Sequence, residues 1–215
     1  MSTKRADRTA AKKVRDKWKA KIWYTIVAPE TFASKEIGET PSETPEQLLG
    51  RVTETTLYDI TGNVKKSYIK LFFKIDKIEG TKAITSFIGH DTLPDYTRRL
   101  VRRRKSRIDI IFPISTNDGY SMRIKLTLVS DKRINSSLKT AIRNRIKEIL
   151  KDYSSKNTYS EFVKYMISDT IVADIENGIK TIYPIRKIEI RKSDLLKTPE
   201  QPAIAPENVA AEPNN

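Results

Sequence analysis

The chain of 215 residues has no cysteine, which excludes disulfides, thiolate metal sites and a cysteine nucleophile, and fits an intracellular setting. It has a single histidine, His90, so a zinc site is excluded as well. None of its seven glycines precedes a lysine, so there is no Walker phosphate loop, and the glycine fingerprint of a dinucleotide fold is missing. No apolar run approaches the ~18 residues of a membrane span, and the basic N-terminus lacks the apolar stretch of a secretory signal. A membrane-surface role is disfavoured because the cationic segments carry no broad apolar helix face. Pro94-Asp95 could open a restriction-nuclease signature, but that signature needs an acid two residues before a lysine. No Asp or Glu stands at that offset. His90 beside Asp91 invites an acid–base reading; with no partner set evident, it reads as a structural histidine. Asp174 and Glu176 flank an apolar stripe and read as helix-solubilising rather than metal-binding. Hydrophobic residues make up only 38% of the chain, below the roughly 45–50% of typical globular domains. Such a thin core often leans on a partner.

What the chain has in excess is positive charge, a net +14 held in two places. Residues 1–21 carry nine cations and two acids, a net +7. Residues 98–107, RRLVRRRKSR, carry seven cations and no acid, another +7, so the rest of the chain sums to zero. A solvated charged face is the usual fate of a charge run, but seven like charges this close repel and call for a polyanion. Arginine outnumbers lysine six to one in the second segment, which suits bidentate phosphate contacts. The candidate nucleic-acid contacts are Lys12, Lys13, Arg15, Lys17, Trp18, Lys19 and Lys21 in the first segment. In the second they are Arg98, Arg99, Arg102, Arg103, Arg104, Lys105 and Arg107. No catalytic residue, metal or cofactor is expected.

Periodicity predicts an α+β fold. Residues 1–21 read as a basic arm, disordered without RNA, with Val14 and Trp18 the only hint of an apolar stripe. Trp18, Trp23 and Tyr24 interleave rings with cations and can stack on unpaired bases, although Trp23 and Tyr24 are expected in the core of a first strand, IWYTIV. The acidic residues 30–46 form a loop or weak hairpin. Strands follow at GRVTETTLYDITG, SYIKLFFKID and TKAITSFIG, then a hairpin at 108–116 and 120–130 around Asn117 to Gly119. Asp91 or Thr92 caps a short helix with Pro94 in its first turn. That helix places Leu93, Tyr96 and Leu100 on one face and Arg98, Arg99, Arg102 and Arg103 on the other. The alternative is a strand, which would turn Arg102 and Arg103 to opposite faces. Two to three helices come next, starting at Ser136 or Ser137 and at Ser160, with a third piece at 169–177 stopped by Gly178. A strand at TIYPIRKIEIRK closes the core, Pro184 marking an edge or bulge. The sheet is expected to be antiparallel and to curl or close in a barrel-like way. The expected organisation is thus a basic arm at 1–21, a single α+β core domain at 22–197 and a disordered acidic, proline-rich tail at 198–215.

Six segments, in this order and spacing, resemble the archaeal and eukaryotic small-subunit ribosomal protein family called S-three-A-e, or e-S-one. They are KIWYTIVAPETF, GRVTETTLYDITG, FIGHDTLPDYTRRLVRRRKSRIDIIF, TNDGYSMRIK, AIRNRIKEI and DIENGIKTIYPIRKIEIRKSDLL. The resemblance implies a β-barrel-like core with packed helices. It also implies a non-enzymatic, cytoplasmic role on the platform of the small subunit, beside the messenger exit. Implied partners are small-subunit rRNA, neighbouring small-subunit proteins and messenger RNA at the exit, with no membrane. The family's basic motif falls on Arg98 to Arg107. The lysine-rich C-terminal extension of eukaryotic members is missing, which points to the archaeal version, and Leu93-Pro94-Asp95 stands where many relatives have Thr before the acid. A free nucleic-acid-binding translation factor or regulator is the alternative reading.

Overall fold

The computed structural model describes residues 18–168 and 170–199. Contacts cluster into two compact units, one formed by the described residues up to Thr53 with Phe73–Ser86, the other by Glu54–Phe72 and the residues from Phe87 onward. Together the described residues hold eight strands and five α-helices. The fold is α+β, and its sheet is mostly antiparallel.

In the first unit β1 (Ile22–Val27) pairs antiparallel with β2 (Glu36–Ser42), so the acidic segment supplies the second arm of a hairpin. β1 also pairs in parallel with the start of β5 (Lys82–Thr92). Neighbouring residues on a strand face opposite sides. Tyr24 and Ile26 are therefore 5% and 2% exposed, whereas Trp23 is 57% exposed. The expectation of core packing holds for Tyr24 and fails for Trp23. Tyr24, Leu48, Ile75 and Ala83 make a small core, and Phe32 meets Phe73 edge-on at 5.2 Å.

The stretch from Gly50 to Gly62 is not one strand. β3 (Val52–Thr56) stops where Thr56 and Asp59 form a reciprocal capping box, each side chain accepting from the other's amide. That box starts α1 (Leu57–Thr61), which Gly62 closes at φ 73°. β4 (Ile69–Glu79) pairs with β3 and β5.

In the second unit the later part of β5 pairs with β8 (Ile185–Lys197), β8 with β7 (Ser121–Ser130), and β7 with β6 (Arg107–Ser115), each antiparallel. Pro184 precedes β8 rather than interrupting it. The alternation expected of β6 is realised: Ile108, Ile110, Phe112 and Ile114 are buried and the residues between them exposed. Three helices complete the unit: α3 (Ser136–Lys156), α4 (Tyr159–Ile167) and α5 (Thr170–Ile179). α3 packs on β6 and α5, and α5 on β8, with Ile142, Ile146 and Leu150 fully buried. Each such side chain contributes about 1.5–3 kcal/mol.

Three boundaries differ from those the sequence suggests. Asn135 rather than a serine caps α3. α4 starts at Tyr159, one residue before Ser160, on the Thr158–Glu161 capping box. Gly178 lies inside α5 instead of ending it. Among the described residues the sheet is not closed into a barrel, because β6 pairs only with β7 and β2 only with β1. Along β6, Pro113 has no amide to donate and the Arg143 guanidinium already donates to the Asp109 carbonyl at 3.3 Å, so this edge is poorly suited to accept another strand.

Candidate nucleic-acid interface

The cationic segment starts on α2 (Pro94–Leu100), a short helix with no side-chain cap. Asp91 and Thr92 belong to β5 instead: the Thr92 hydroxyl donates to the Ile190 carbonyl at 3.2 Å and Asp91 lies 3.8 Å from the Lys192 ammonium. Pro94 at the first turn starts the helix, and the Leu93 amide donates to the Tyr68 carbonyl at 2.9 Å. Tyr96 fixes α2 to β8. Its ring stacks on Tyr68 at 3.7 Å and its hydroxyl donates to Glu189 Oε1 at 2.7 Å. Burial, then the Tyr68 hydroxyl and the Glu189 carboxylate, push the Tyr96 phenol above its ordinary value, so it stays a neutral donor.

Beyond Leu100 the segment is neither helix nor strand. Val101 is extended, at φ −89° and ψ 118°. The chain then turns through Arg102 to Arg104, with Arg104 in the left-handed region at φ 65°. Buried Ser106 anchors the far side of the turn: its amide donates to Ser130 Oγ at 3.1 Å, and its own Oγ accepts the Ile134 amide at 3.0 Å. That anchorage to β7 is incompatible with a continued helix. Arg98 and Arg99 therefore sit on α2, Arg102, Arg103 and Arg104 on the turn, and Arg107 on the first residue of β6, rather than four of them sharing one helical face.

Six of the seven cations are exposed. Lys105 is the exception, its side chain 18% exposed and paired with Asp131 at 3.1 Å. Arg107 pairs with Asp109 at 2.8 Å. Arg98 lies 3.3 Å from Asp95, but both side chains are at least 80% exposed, and such surface pairs hold weakly against competing anions. Arg99, Arg102, Arg103 and Arg104 have no carboxylate partner among the described residues. Arg98, Arg107 and Arg191 converge on a cleft of about 540 Å³ that Thr97 and Asp91 also line. Arg191 was not among the expected contacts; its signal was the alternation of β8, which sets Lys187, Glu189 and Arg191 between Ile188 and Ile190.

Of the other group, Lys12, Lys13, Arg15 and Lys17 lie outside the described residues. Trp18, Lys19 and Lys21 are exposed in the first unit. Lys21 Nζ sits 4.1 Å from the centre of the Trp18 ring, a cation–π contact. His90 is 3% exposed and hydrogen-bonded through both ring nitrogens, as expected of a structural histidine. Among the described residues, no cluster of three His, Asp or Glu side chains is arranged to hold a metal, and no helix is long and apolar enough to cross a membrane.

The sequence model of the Ribosomal S3Ae family matches residues 9–199. The chain belongs to this family. Its S3Ae relatives include the small ribosomal subunit protein eS1 of Desulfurococcus amylolyticus, 45% identical over 186 residues that cover 86% of this chain and 87% of the relative. The eS1 protein of Thermoplasma acidophilum is 44% identical over 191 residues, 89% of each chain. That of Saccharolobus islandicus is 41% identical over 187 residues, 87% of this chain and 90% of the relative. S3Ae proteins are ribosomal components rather than enzymes. The S3Ae match takes in every strand and helix described above together with the whole cationic segment.

Proposed function

We propose that the chain is a structural constituent of the small ribosomal subunit, working in the cytoplasm by neutralising packed rRNA phosphates. The observation that carries this reading is the set Arg99, Arg102, Arg103 and Arg104, four exposed guanidiniums without carboxylate partners among the described residues. Free guanidiniums this close repel, and a phosphate backbone relieves that repulsion while releasing counterions. Residues 1–21 act as a basic arm that follows RNA, with Trp18 offering a ring to an unpaired base. Residues 22–197 serve as the folded core and present their neutral surface to neighbouring small-subunit proteins. The acidic residues 198–215 are not needed for RNA binding. The names of the relatives support the small-subunit assignment, and the family resemblance supports a seat on the platform near the messenger exit.

Sedimentation tests the assignment: the protein stays with the small subunit through a high-salt wash, whereas a free translation factor leaves. Salt titration tests the site. Replacing Arg98, Arg99, Arg102 and Arg103 by Ala flattens the slope of log affinity for small-subunit rRNA against log salt by roughly 3–4 units. The fold survives, because these side chains are exposed and their loss opens no cavity. An unchanged slope with an intact fold would reduce the segment to a solvated face.

A further inference from the structure

Arg98 and Arg99 are neighbours on α2, which sets them about 100° apart around the helix axis, and they line different clefts. Arg98 joins Arg107 and Arg191 as described. Arg99 lines a second cleft, of about 720 Å³, with Lys65, Lys66, Lys187 and the rings of Tyr68 and Tyr96. The second cleft draws on three separate segments. Asn63 caps a single helical turn by accepting the Lys65 amide on Oδ1 at 3.1 Å, which fixes Lys65 and Lys66 at one wall. β8 supplies Lys187 and α2 supplies Arg99.

The charge balance of this cleft is lopsided. Glu189, 9% exposed, touches three of the lining residues and is already engaged. It accepts from the Tyr96 hydroxyl at 2.7 Å and the Tyr68 hydroxyl at 3.4 Å, and pairs with Lys187 at 3.0 Å. The Lys66 ammonium donates to the Ile167 carbonyl at 2.8 Å, which orients it. Four cations thus line the cleft, two of them, Lys65 and Arg99, without a carboxylate partner among the described residues. The volume lies in the range of sites for whole organic ligands, about 300–1,000 Å³, and so exceeds the needs of a lone inorganic phosphate. Cations beside aromatic rings are the combination that tracks a nucleic-acid backbone and stacks its bases.

We infer that this second cleft binds an RNA backbone segment of its own, so that α2 is a wedge between two RNA strands. The inference rests on the rRNA-binding reading and deepens it: the cationic segment does not face one strand but parts two, and Lys65, Lys66 and Lys187 join Arg99 on the far side.

The test uses the full chain, deproteinised small-subunit rRNA as probe, and binding measured across a salt series. Lys65→Ala with Lys187→Ala touches the second cleft alone and leaves the Lys66 contact to Ile167 in place. Arg98→Ala with Arg191→Ala touches the first cleft alone. The expected slope losses are about 1.5 units for each pair, adding to about 3 when combined. A wild-type slope for the lysine variant beside a flattened one for the arginine variant overturns the second site while the RNA reading stands. Two unchanged slopes overturn both. A combined loss well short of the sum means one strand touching both sides and overturns the wedge. Lys65→Gln alone, at an exposed position, keeps the test available if the lysine pair impairs folding, with an expected loss of about 0.8 units.

Discussion

Buried between β5 and β8, His90 can carry its proton on only one ring nitrogen. Nε2 lies 3.1 Å from the Ile190 carbonyl, which only accepts, so Nε2 is the donor. Nδ1, 2.7 Å from Ser193 Oγ, then accepts the hydroxyl proton, while the same Oγ accepts the His90 amide at 3.1 Å. Burial lowers the imidazole below its ordinary 6.5 and outweighs Asp91, Asp194 and Glu189, which pull the other way. The folded state thus binds fewer protons than the unfolded one between the lowered value and 6.5, and stability rises with pH across that window. Stability is fully present above pH ~6.5 and lost as pH falls toward the folded value. Melting temperatures recorded from pH 7.5 down to 5.5 should therefore decline, and His90→Gln should flatten the decline. An equal decline in both proteins would remove His90 from the account. Ser106 teaches a different lesson at this scale. A charge pattern registers it as a gap between cations, yet its hydrogen bonds to Ser130 and Ile134 decide where the arginines end up.

Two glycines in regular elements predict opposite outcomes. On β5, a Cβ at Gly89 would lie 2.0 Å from the Ser193 carbonyl oxygen, a backbone atom of β8 that cannot move without parting the strands. Gly89→Ala should cost upwards of about 3 kcal/mol or abolish folding, comparable to the severe end of measured substitutions. On α5, a Cβ at Gly178 meets only the Ile149 side chain, its terminal Cδ1 at 2.3 Å and Cγ1 at 3.6 Å. A side-chain tip can rotate, and alanine gains up to about 1 kcal/mol over glycine in a helix, so Gly178→Ala should leave stability within about 1 kcal/mol of wild type. Chemical denaturation of the two variants measures both. The strands were legible because Ile108, Ile110, Phe112 and Ile114 recur at every second position of β6, and apolar and polar residues alternate from Met122 to Leu128 in β7. α1 was not, since its capping box sits in a run of threonines that favours strand until the pairing of Thr56 with Asp59 is seen. The same holds for the second cleft: Lys65, Arg99 and Lys187 are far apart in the chain, and only the pairing of β8 with its neighbours and the seating of α2 through Tyr96 collect them. Arg98 to Arg107 stood out because seven like charges in ten positions need no fold to be noticed.

At the scale of the whole molecule, a net +14 concentrated in two segments sets folding and binding in opposition. Salt screens repulsion among the clustered arginines in the free protein and also weakens attraction to phosphate. Between 50 and 500 mM KCl the melting temperature of the RNA-free chain should rise while its affinity for small-subunit rRNA falls. The variant lacking Arg98, Arg99, Arg102 and Arg103 should lose most of the rise, and a rise of the same size in that variant would place the repulsion elsewhere. The open side of β6 bears on a different moment in the protein's life. A strand with one partner and exposed Ile111, at 60%, is the kind of edge along which copies of a chain join into aggregates. Pro113 and the guanidinium of Arg143 on Asp109 interrupt that edge. On the proposed ribosomal role these two residues count most before assembly, while a newly made chain awaits its RNA, by keeping that edge from recruiting a second copy.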